Sequence, residues 1–216
     1  MIAPGRIAID HLGRLWVSEP DRDRIRGVDE HGQPLAELPS LPGAHGIALA
    51  VDASAVYAAA PDRGTIYRLA LGQTPGSPAI LTDALDQPWA IAADEEAGAL
   101  YACAAGSGEI WHIATRGSTS ARVLTGTPGA APGDGPLDRA AFGAPTGLVL
   151  SPDRRRLYVV DSRPLAVRVI DLLDGAVTTL AGPPSFAPAR RRARGGPDAR
   201  TPARRRGAPG PPARPP

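Results

Sequence analysis

Four aspartates stand at the ends of four short apolar segments, RIAID, GIALAVD, AIAAD and GLVLSPD, and their type and spacing could support chemistry. They are Asp10, Asp52, Asp94 and Asp153. Carboxylates from several segments that converge on one axis could hold a divalent metal ion. Aspartate is also favoured at the start of a turn, where its side chain bonds to the nearby backbone. We interpret the four as turn residues and keep them as weak candidates for metal ligands.

The other residues that could carry chemistry are scattered along the chain. The histidines show no metal-ligand spacing such as HExxH. Cys103 follows Tyr101 in an apolar run with no basic neighbour, which favours a buried, inert thiol. The sequence has no GxSxG motif and no phosphate-binding glycine loop. It therefore predicts no catalytic residue and no cofactor, and none is expected of the four histidines, His11, His31, His45 and His112.

The strongest signal is a fourfold internal repeat. An apolar residue is followed nine or ten residues later by an aromatic one, then nine residues later by a β-branched one, and then by a further apolar position. The first anchors are Ile7, Ile47, Ile91 and Leu148, and the aromatics are Trp16, Tyr57, Tyr101 and Tyr158. The β-branched anchors are Ile25, Ile66, Ile110 and Val167, and the last anchors are Leu38, Leu81, Leu124 and Leu180.

Each copy is predicted to form four short antiparallel strands, because alternating apolar runs are bounded by turn residues. A single meander of this kind cannot bury both of its faces, whereas copies stacked around an axis can. An all-β fold is expected, a β-propeller of four blades in a closed ring or an open arc. A β-sandwich is the alternative, but sandwiches do not repeat their anchors. The propeller would span residues 1–185, with blades at about 4–41, 42–85, 86–126 and 144–182.

The first and last copies resemble NHL repeats. The stretch GDGPLDRAAFGAPTGLVLSPDRRRLYVVDSRPLAVRVIDLLDGAVTTLAG is similar to one such repeat with its preceding loop, and WVSEPDRDRIRGVDEHG to another. The middle copies lack the acid that follows the aromatic strand, and Ala166 stands where the family usually has arginine. The resemblance implies a propeller of about six blades, so four visible copies suggest an incomplete one. Similar propellers of the streptogramin-lyase and gluconolactonase types hold a metal over the central channel.

The charge of the chain is divided between two parts. The segment 186–216 carries nine arginines and one acid, a net charge of +8, whereas the rest of the chain carries −6. Arginine, proline, glycine and alanine dominate this segment, which predicts a disordered tail. It is either a linker, an out-of-frame product or a nucleic-acid-binding arm. The N-terminus lacks the features of a signal peptide and no apolar run could span a membrane, so a cytoplasmic location is expected.

One end of the predicted sheets gathers the loops that a partner would use. The end is mildly acidic, which disfavours a nucleic-acid backbone there. We expect a non-catalytic scaffold or sensor that binds a protein or a small ligand. The alternatives are a metal-dependent lyase or lactonase, and nucleic-acid binding through the tail alone. The candidate binding residues are Glu19, Arg22, Arg24, Asp62, Arg63, Asp134, Arg139, Asp161 and Arg163.

Overall fold

The computed structural model describes residues 5–35, 38–50, 52, 54–72, 76–117 and 120–183. Within these ranges the chain forms sixteen β-strands and two short 3-10 helices. No helix in the described part is long and apolar enough to cross a membrane. The predicted tail, residues 186–216, lies outside the described residues.

The strands form four consecutive antiparallel sheets. The first sheet contains β1 (Ile7–Ile9), β2 (Leu15–Glu19) and β3 (Arg24–Val28). The second contains β4 (Gly46–Leu49), β5 (Ala55–Ala60), β6 (Thr65–Ala70) and β7 (Ala79–Thr82). The third contains β8 (Pro88–Asp94), β9 (Ala99–Ala104), β10 (Glu109–Ala114) and β11 (Ala121–Thr125). The fourth contains β12 (Gly135–Pro136), β13 (Pro145–Leu150), β14 (Arg156–Asp161), β15 (Ala166–Asp171) and β16 (Ala176–Ala181).

The strand register confirms the repeat. Each first anchor pairs with the residue directly after its aromatic, in Ile7–Val17, Ile47–Ala58, Ile91–Ala102 and Leu148–Val159. Each aromatic pairs with the third-strand residue eleven positions later, in Trp16–Gly27, Tyr57–Arg68, Tyr101–His112 and Tyr158–Val169. The four aromatics therefore occupy one structural position.

Two sheets depart from the predicted four strands. Among the described residues of the first sheet no fourth strand forms, although Leu38 is buried against the sheet as an anchor should be. The segment has prolines at Pro34 and Pro39, and proline donates no hydrogen bond to a strand ladder. Only an isolated bridge from Val28 to Pro34 remains there. The fourth sheet instead gains a fifth strand, β12, from the long loop that precedes it.

Consecutive sheets pack face to face in three seams. We call the face that packs on the next sheet the front face and the other the back face. The front face of the first sheet, with Trp16 and Ile25, packs on the back face of the second, with Ile47 and Leu69. The same arrangement joins the second to the third sheet and the third to the fourth. Burial of each large aliphatic side chain contributes about 1.5–3 kcal/mol, so these seams are the main source of stability.

The first strands of all four sheets surround a channel. The four first anchors line one cavity of about 150 Å³ together with Arg6. At this axis the Arg6 guanidinium donates a hydrogen bond of 2.8 Å to the Thr146 carbonyl, which links the first sheet to the fourth. Away from the axis the two sheets do not cover each other, since Ile9 is 67% exposed and Val149 is 58% exposed. Of the two predicted arrangements, the described residues form an open arc.

Candidate binding face

One end of the sheets carries the turns between second and third strands and the loops that connect consecutive sheets. Backbone hydrogen bonds join the two kinds of segment: the Leu41 N–H donates to Asp23 O at 2.7 Å, and the Leu85 N–H donates to Gly64 O at 3.2 Å. The turns of one sheet therefore support the loop that leads into the next. We call this end the loop face, and it comprises residues 19–24, 38–45, 60–65, 83–87, 105–108, 126–144 and 162–165.

The turns of the loop face share one backbone conformation that the sequence did not reveal. The residue two positions before each β-branched anchor is left-handed, with φ of 52°, 65°, 74° and 66° at Asp23, Gly64, Gly108 and Leu165. In the two middle sheets this residue must be glycine for a second reason. A Cβ on Gly64 would stand 2.6 Å from Leu85 O, and one on Gly108 would stand 2.5 Å from Phe142 O. In each of these two sheets, the connecting loop that leads to the next sheet lies in close contact with the turn.

The longest connecting loop, residues 126–144, is held by a buried arginine. Arg168 of β15 is fully buried. Its guanidinium donates to Gly133 O at 2.7 Å, to Ala141 O at 3.2 Å and to the Asp134 carboxylate at 2.9 Å. The Asp161 carboxylate lies 3.7 Å from the same group. One side chain thus binds the loop at two points, around Gly133 and at Ala141, and has two carboxylate neighbours.

Further contacts fix the same loop to the sheets. Asp134 accepts hydrogen bonds from the Thr179 N–H at 3.0 Å and the Thr179 hydroxyl at 2.8 Å. The Thr125 hydroxyl donates to Leu137 O at 2.7 Å, and the buried Phe142 ring lies 5.0 Å from the Arg168 guanidinium carbon. Because side chains from three strands hold it, the loop is a rigid part of the loop face.

Two predicted binding residues are used inside the fold. The Asp161 side chain is fully buried and accepts hydrogen bonds from the Gly143 and Ala144 N–H groups, the latter at 2.8 Å. Asp134 is committed to Arg168 and Thr179, as described above. Both acids position the loop, because a buried guanidinium needs carboxylate and carbonyl partners. Asp161 is enclosed in doing so, whereas the Asp134 side chain is still 37% exposed.

A second pair of predicted residues forms a partly shielded ion pair. The Arg24 Nε atom donates to the Glu19 carboxylate at 2.6 Å, and Arg22 lies 3.8 Å from the same carboxylate. The hydrogen bond from Arg24 lowers the pKa of Glu19. Arg22 and the remaining predicted residues are exposed on the loop face. They are Arg22, Asp62, Arg63, Arg139 and Arg163.

The four repeated aspartates lie at the opposite end, and each initiates a turn. Asp10 accepts from the Leu12 and Arg14 N–H groups at 2.9 and 3.0 Å and from the Trp16 indole at 3.1 Å. Burial disfavours its ionised form, but the bonds from Trp16 and Arg14 outweigh this and lower the pKa of Asp10. The other three accept a backbone N–H two or three residues ahead, in Asp52–Ser54, Asp94–Ala97 and Asp153–Arg155.

These turn hydrogen bonds bear on whether the four aspartates could bind a metal ion. Within the described ranges, no three His, Cys, Asp or Glu side chains lie close enough together to hold one. The Asp10 carboxylate also carries the Arg14 guanidinium at 2.6 Å, and the Asp94 carboxylate lies 3.8 Å from Arg154. The described residues therefore do not fit the metal centre that lyase-type propellers imply.

The histidines and the cysteine occupy unrelated structural positions. His45 stacks edge-on against Trp89 at 4.5 Å, and burial lowers the pKa of His45. His112 stacks on Tyr101 at 5.6 Å, and burial lowers its pKa as well. Cys103 is fully buried, and burial raises the pKa of its thiol, so the reactive thiolate is disfavoured. The two other histidines are exposed in turns, His11 and His31.

Sequence reasoning missed a groove at the end opposite the loop face. The groove has a volume of about 780 Å³ and lies between the second, third and fourth sheets. Arg154 pairs with Glu96, Arg116 lies 3.8 Å from Glu95, and the Tyr57 hydroxyl donates to Glu95 at 3.1 Å. The sequence signal for this groove was the acidic pair Glu95 and Glu96, which follows Asp94 in the third copy. The charged residues that line the groove are Asp52, Asp94, Glu95, Glu96, Arg116 and Arg154.

Comparison with solved structures places the fold among known propellers. A chain of the nidogen/laminin complex superposes with a TM-score of 0.62 at 20% identity, over 83% of this chain and 62% of that one. An auxiliary nutrient binding protein from Bacteroides ovatus gives 0.64 at 17% identity, over 81% and 48%. Virginiamycin B lyase from Staphylococcus aureus, an inactive H270A variant with quinupristin, gives 0.61 at 16% identity, over 85% and 57%.

No protein-family model and no curated protein matches the sequence. The chain spans about half to three fifths of the length of the structures it resembles. At these identities the likeness concerns the fold alone. Together with four sheets in one repeated register, it shows that the chain is a β-propeller protein.

Proposed function

We propose that the chain is an NHL-like propeller module that binds a protein or a small ligand on its loop face, without catalysis. The observation that carries the proposal is the immobilised loop 126–144. Arg168 is buried beneath it and bonds to Gly133 O and Ala141 O on either side of the exposed tip residues Asp138 and Arg139. A loop held this firmly presents side chains at low entropic cost to a partner.

The neighbouring turns extend the same surface. Arg63 and Arg163 are exposed in the turns of the second and fourth sheets, and Asp62 lies beside Arg63. The face therefore offers charges of both signs on a rigid scaffold, which suits a partner of mixed charge. Two structural neighbours are described as nutrient binding proteins, and another is a chain of the nidogen/laminin complex. These likenesses support binding as a role of such propellers.

The test is a selection from a displayed library of random peptides on the immobilised full chain. We expect enriched peptides that lose binding to the triple variant Arg63→Ala, Arg139→Ala and Arg163→Ala. The matched control is the double variant Arg116→Ala and Arg154→Ala at the opposite groove, which should bind as well as the parent. The proposal fails if the enriched peptides tolerate the triple variant, or if they depend on the groove arginines.

A metal-dependent lyase is the second candidate, since two streptogramin B lyase structures share the fold. Against it, the described carboxylates are engaged in turns and do not form a ligand set. Calorimetric titration with calcium, magnesium and zinc decides between the two. A dissociation constant tighter than about 10⁻⁵ M, the weaker end of calcium-sensor affinity, would favour the lyase if the double variant Asp52→Ala and Asp153→Ala abolishes it.

Nucleic-acid binding remains a prediction for the tail alone. The residues before position 186 carry a net charge of −6, which opposes contact with phosphates. Binding of single-stranded DNA by the full chain should therefore weaken steeply with salt and disappear when residues 186–216 are removed. Binding that persists without them would place a nucleic-acid site on the propeller.

A further inference from the structure

The groove at the end opposite the loop face is a cavity with no role in the function proposed above. Its volume of about 780 Å³ falls within the roughly 300–1,000 Å³ typical of small-molecule sites. Its walls come from the ends of the first strands of the second, third and fourth sheets and the turns that follow them, at Asp52, 93–96 and 150–154, and from Arg116 in the turn after β10. The groove therefore lies within the arc, between consecutive sheets, and not at either of its ends.

The lining of the groove favours a cationic ligand. Four carboxylates against two guanidinium groups give the lining a net charge of −2. Ala93, Leu150 and Pro152 add apolar surface beside these charges. A ligand that carries two positive charges and an apolar part is therefore complementary to the groove.

Two carboxylates of the groove are buried, and each has one oxygen atom without a direct partner. The Asp94 side chain is 6% exposed, and its Oδ1 atom accepts a hydrogen bond from the Ala97 N–H at 3.1 Å. The Glu95 side chain is 17% exposed, and its Oε1 atom accepts one from the Tyr57 hydroxyl at 3.1 Å. Among the residues that the structure describes, no hydrogen bond reaches Oδ2 of Asp94 or Oε2 of Glu95. Because buried charges need direct partners, each carboxylate offers an acceptor position to a ligand.

The arginines of the groove do not fill these positions. Arg154 lies 3.8 Å from Asp94, and Arg116 lies 3.8 Å from Glu95, which is longer than a hydrogen bond. Arg154 instead pairs with the exposed Glu96. The Arg154 side chain is 41% exposed and that of Arg116 is 65% exposed. Since exposed ion pairs contribute little to stability, a ligand cation can displace either arginine at low cost.

The two acceptor positions lie on opposite sides of the end of β8. Glu95 contacts Tyr57 of the second sheet, whereas Asp94 lies near Arg154 of the fourth. One continuous cavity spans both sides. Each free position is a single oxygen atom, which suits a compact ammonium group better than the flat guanidinium group, because the latter favours two oxygens at once.

We propose that the groove binds a small linear diamine, with one ammonium group at Asp94, the other at Glu95, and the aliphatic linker against Ala93, Leu150 and Pro152. Each ammonium group donates to the free carboxylate oxygen in a charge-assisted hydrogen bond that the resident arginines do not make. The two positive charges of the ligand offset the net charge of the lining. Because the groove and the loop face lie at opposite ends, the chain can bind a diamine and a loop-face partner at once.

Isothermal titration calorimetry of the full chain at low ionic strength tests the site, with the five-carbon diamine cadaverine as the probe. We expect one site per chain with a dissociation constant tighter than about 10⁻³ M. Pentylamine has the same chain but only one ammonium group, so it should bind more weakly by roughly tenfold or more, as expected for the loss of a charge-assisted hydrogen bond.

Two variants should change the affinity for cadaverine in opposite directions. Glu95→Gln keeps an acceptor for the Tyr57 hydroxyl but removes the charge, so it should weaken binding about as much as the loss of one ammonium group does. Arg116→Gln should strengthen binding, because it removes the cation that competes for Glu95. The matched control is Asp174→Asn, an exposed acid at the same end of the sheets and outside the groove, which should leave binding unchanged. Circular dichroism verifies that the variants fold, and general damage to the fold cannot produce the gain expected of Arg116→Gln.

Four results would overturn the proposal. One is the absence of saturable binding of cadaverine to the parent chain. Another is equal affinity for cadaverine and pentylamine, which would show that a single carboxylate holds the ligand. A third is an equal loss in Glu95→Gln and Asp174→Asn, which would show attraction to the surface charge in general. The last is binding of the five-carbon dicarboxylate glutarate in place of cadaverine, which would show that Arg116 and Arg154 form an anion site.

Discussion

Replacement of Arg168 by methionine tests the physical basis of the loop face. Methionine is similar in volume to the aliphatic part of arginine but donates no hydrogen bonds. The variant removes the guanidinium bonds to Gly133 O and Ala141 O, which keep only their mutual backbone bonds, and leaves the fully buried Asp161 carboxylate without its neighbouring cation. The connecting loop 126–144 would lose its central attachment while the apolar seam stays filled.

The size of the effect follows from burial. Removal of one partner from a buried ion pair costs about 3–5 kcal/mol, because the other charge stays desolvated. Domains of this kind have a total stability of about 5–15 kcal/mol. We therefore expect Arg168→Met to lose about a fifth or more of the free energy of unfolding. An exposed pair contributes less than about 1 kcal/mol, so Arg154→Met, which breaks the exposed contact with Glu96, should change stability little.

Urea denaturation followed by tryptophan fluorescence measures both variants. The double variant Arg168→Met with Asp161→Asn should lose less than the sum of the single losses, since the two groups interact. Hydrogen exchange should show faster exchange of residues 133–144 in Arg168→Met and unchanged exchange in Arg154→Met. A loss below about 1 kcal/mol for Arg168→Met, or additive losses in the double variant, would refute the role of Arg168 as the attachment of this loop.

Two further predictions concern single turns. Gly108→Ala should destabilise the fold by more than the roughly 1 kcal/mol expected for an alanine at positive φ, because its Cβ would also meet Phe142 O. The control is Gly117→Ala, since Gly117 has a similar φ of 72° and nothing within 4 Å of the added Cβ. Equal losses of stability in the two variants would contradict the close approach at Gly108. Asp10 ionises more readily in the folded chain than when unfolded, so its contribution is present above the ordinary value of 3.8 and is lost as the pH falls through the lower folded value. Acid titration of the free energy of unfolding should therefore be shallower for Asp10→Asn below that pH, and superimposable curves would show that Asp10 does not contribute.

The sequence was sufficient to predict the repeat because the anchors are local and periodic. Ile47 and Tyr57 occupy the predicted positions, and the register of their strands is the same in every sheet. The described residues of the first sheet form no fourth strand, and this could also have been foreseen, since Pro34 and Pro39 remove donors from the segment that would pair with β3. The left-handed turn residue was visible as Gly64 and Gly108 at one repeat position, but Asp23 and Leu165 concealed the pattern.

The candidate site was harder to predict because it depends on contacts distant in the sequence. Asp134 and Asp161 look like exposed loop acids, and only the fold brings both to Arg168, 34 and 7 residues away. A signal existed, since Arg168 stands in the middle of the apolar strand AVRVID at an inward-facing position. The open arc and the groove at the opposite end depend on how sheets are arranged around the axis, which no local pattern specifies.

A hydrogen-exchange footprint of a selected peptide bound to the full chain tests loop-face binding most directly. Binding there predicts slower exchange in the turns 61–65 and 162–165 and at the tip of the loop at 137–140, with unchanged exchange around 94–97 and 150–155. Protection confined to the groove at 94–97 and 150–155, with the loop face unaffected, would contradict the central claim that this propeller binds its partner through the loop face.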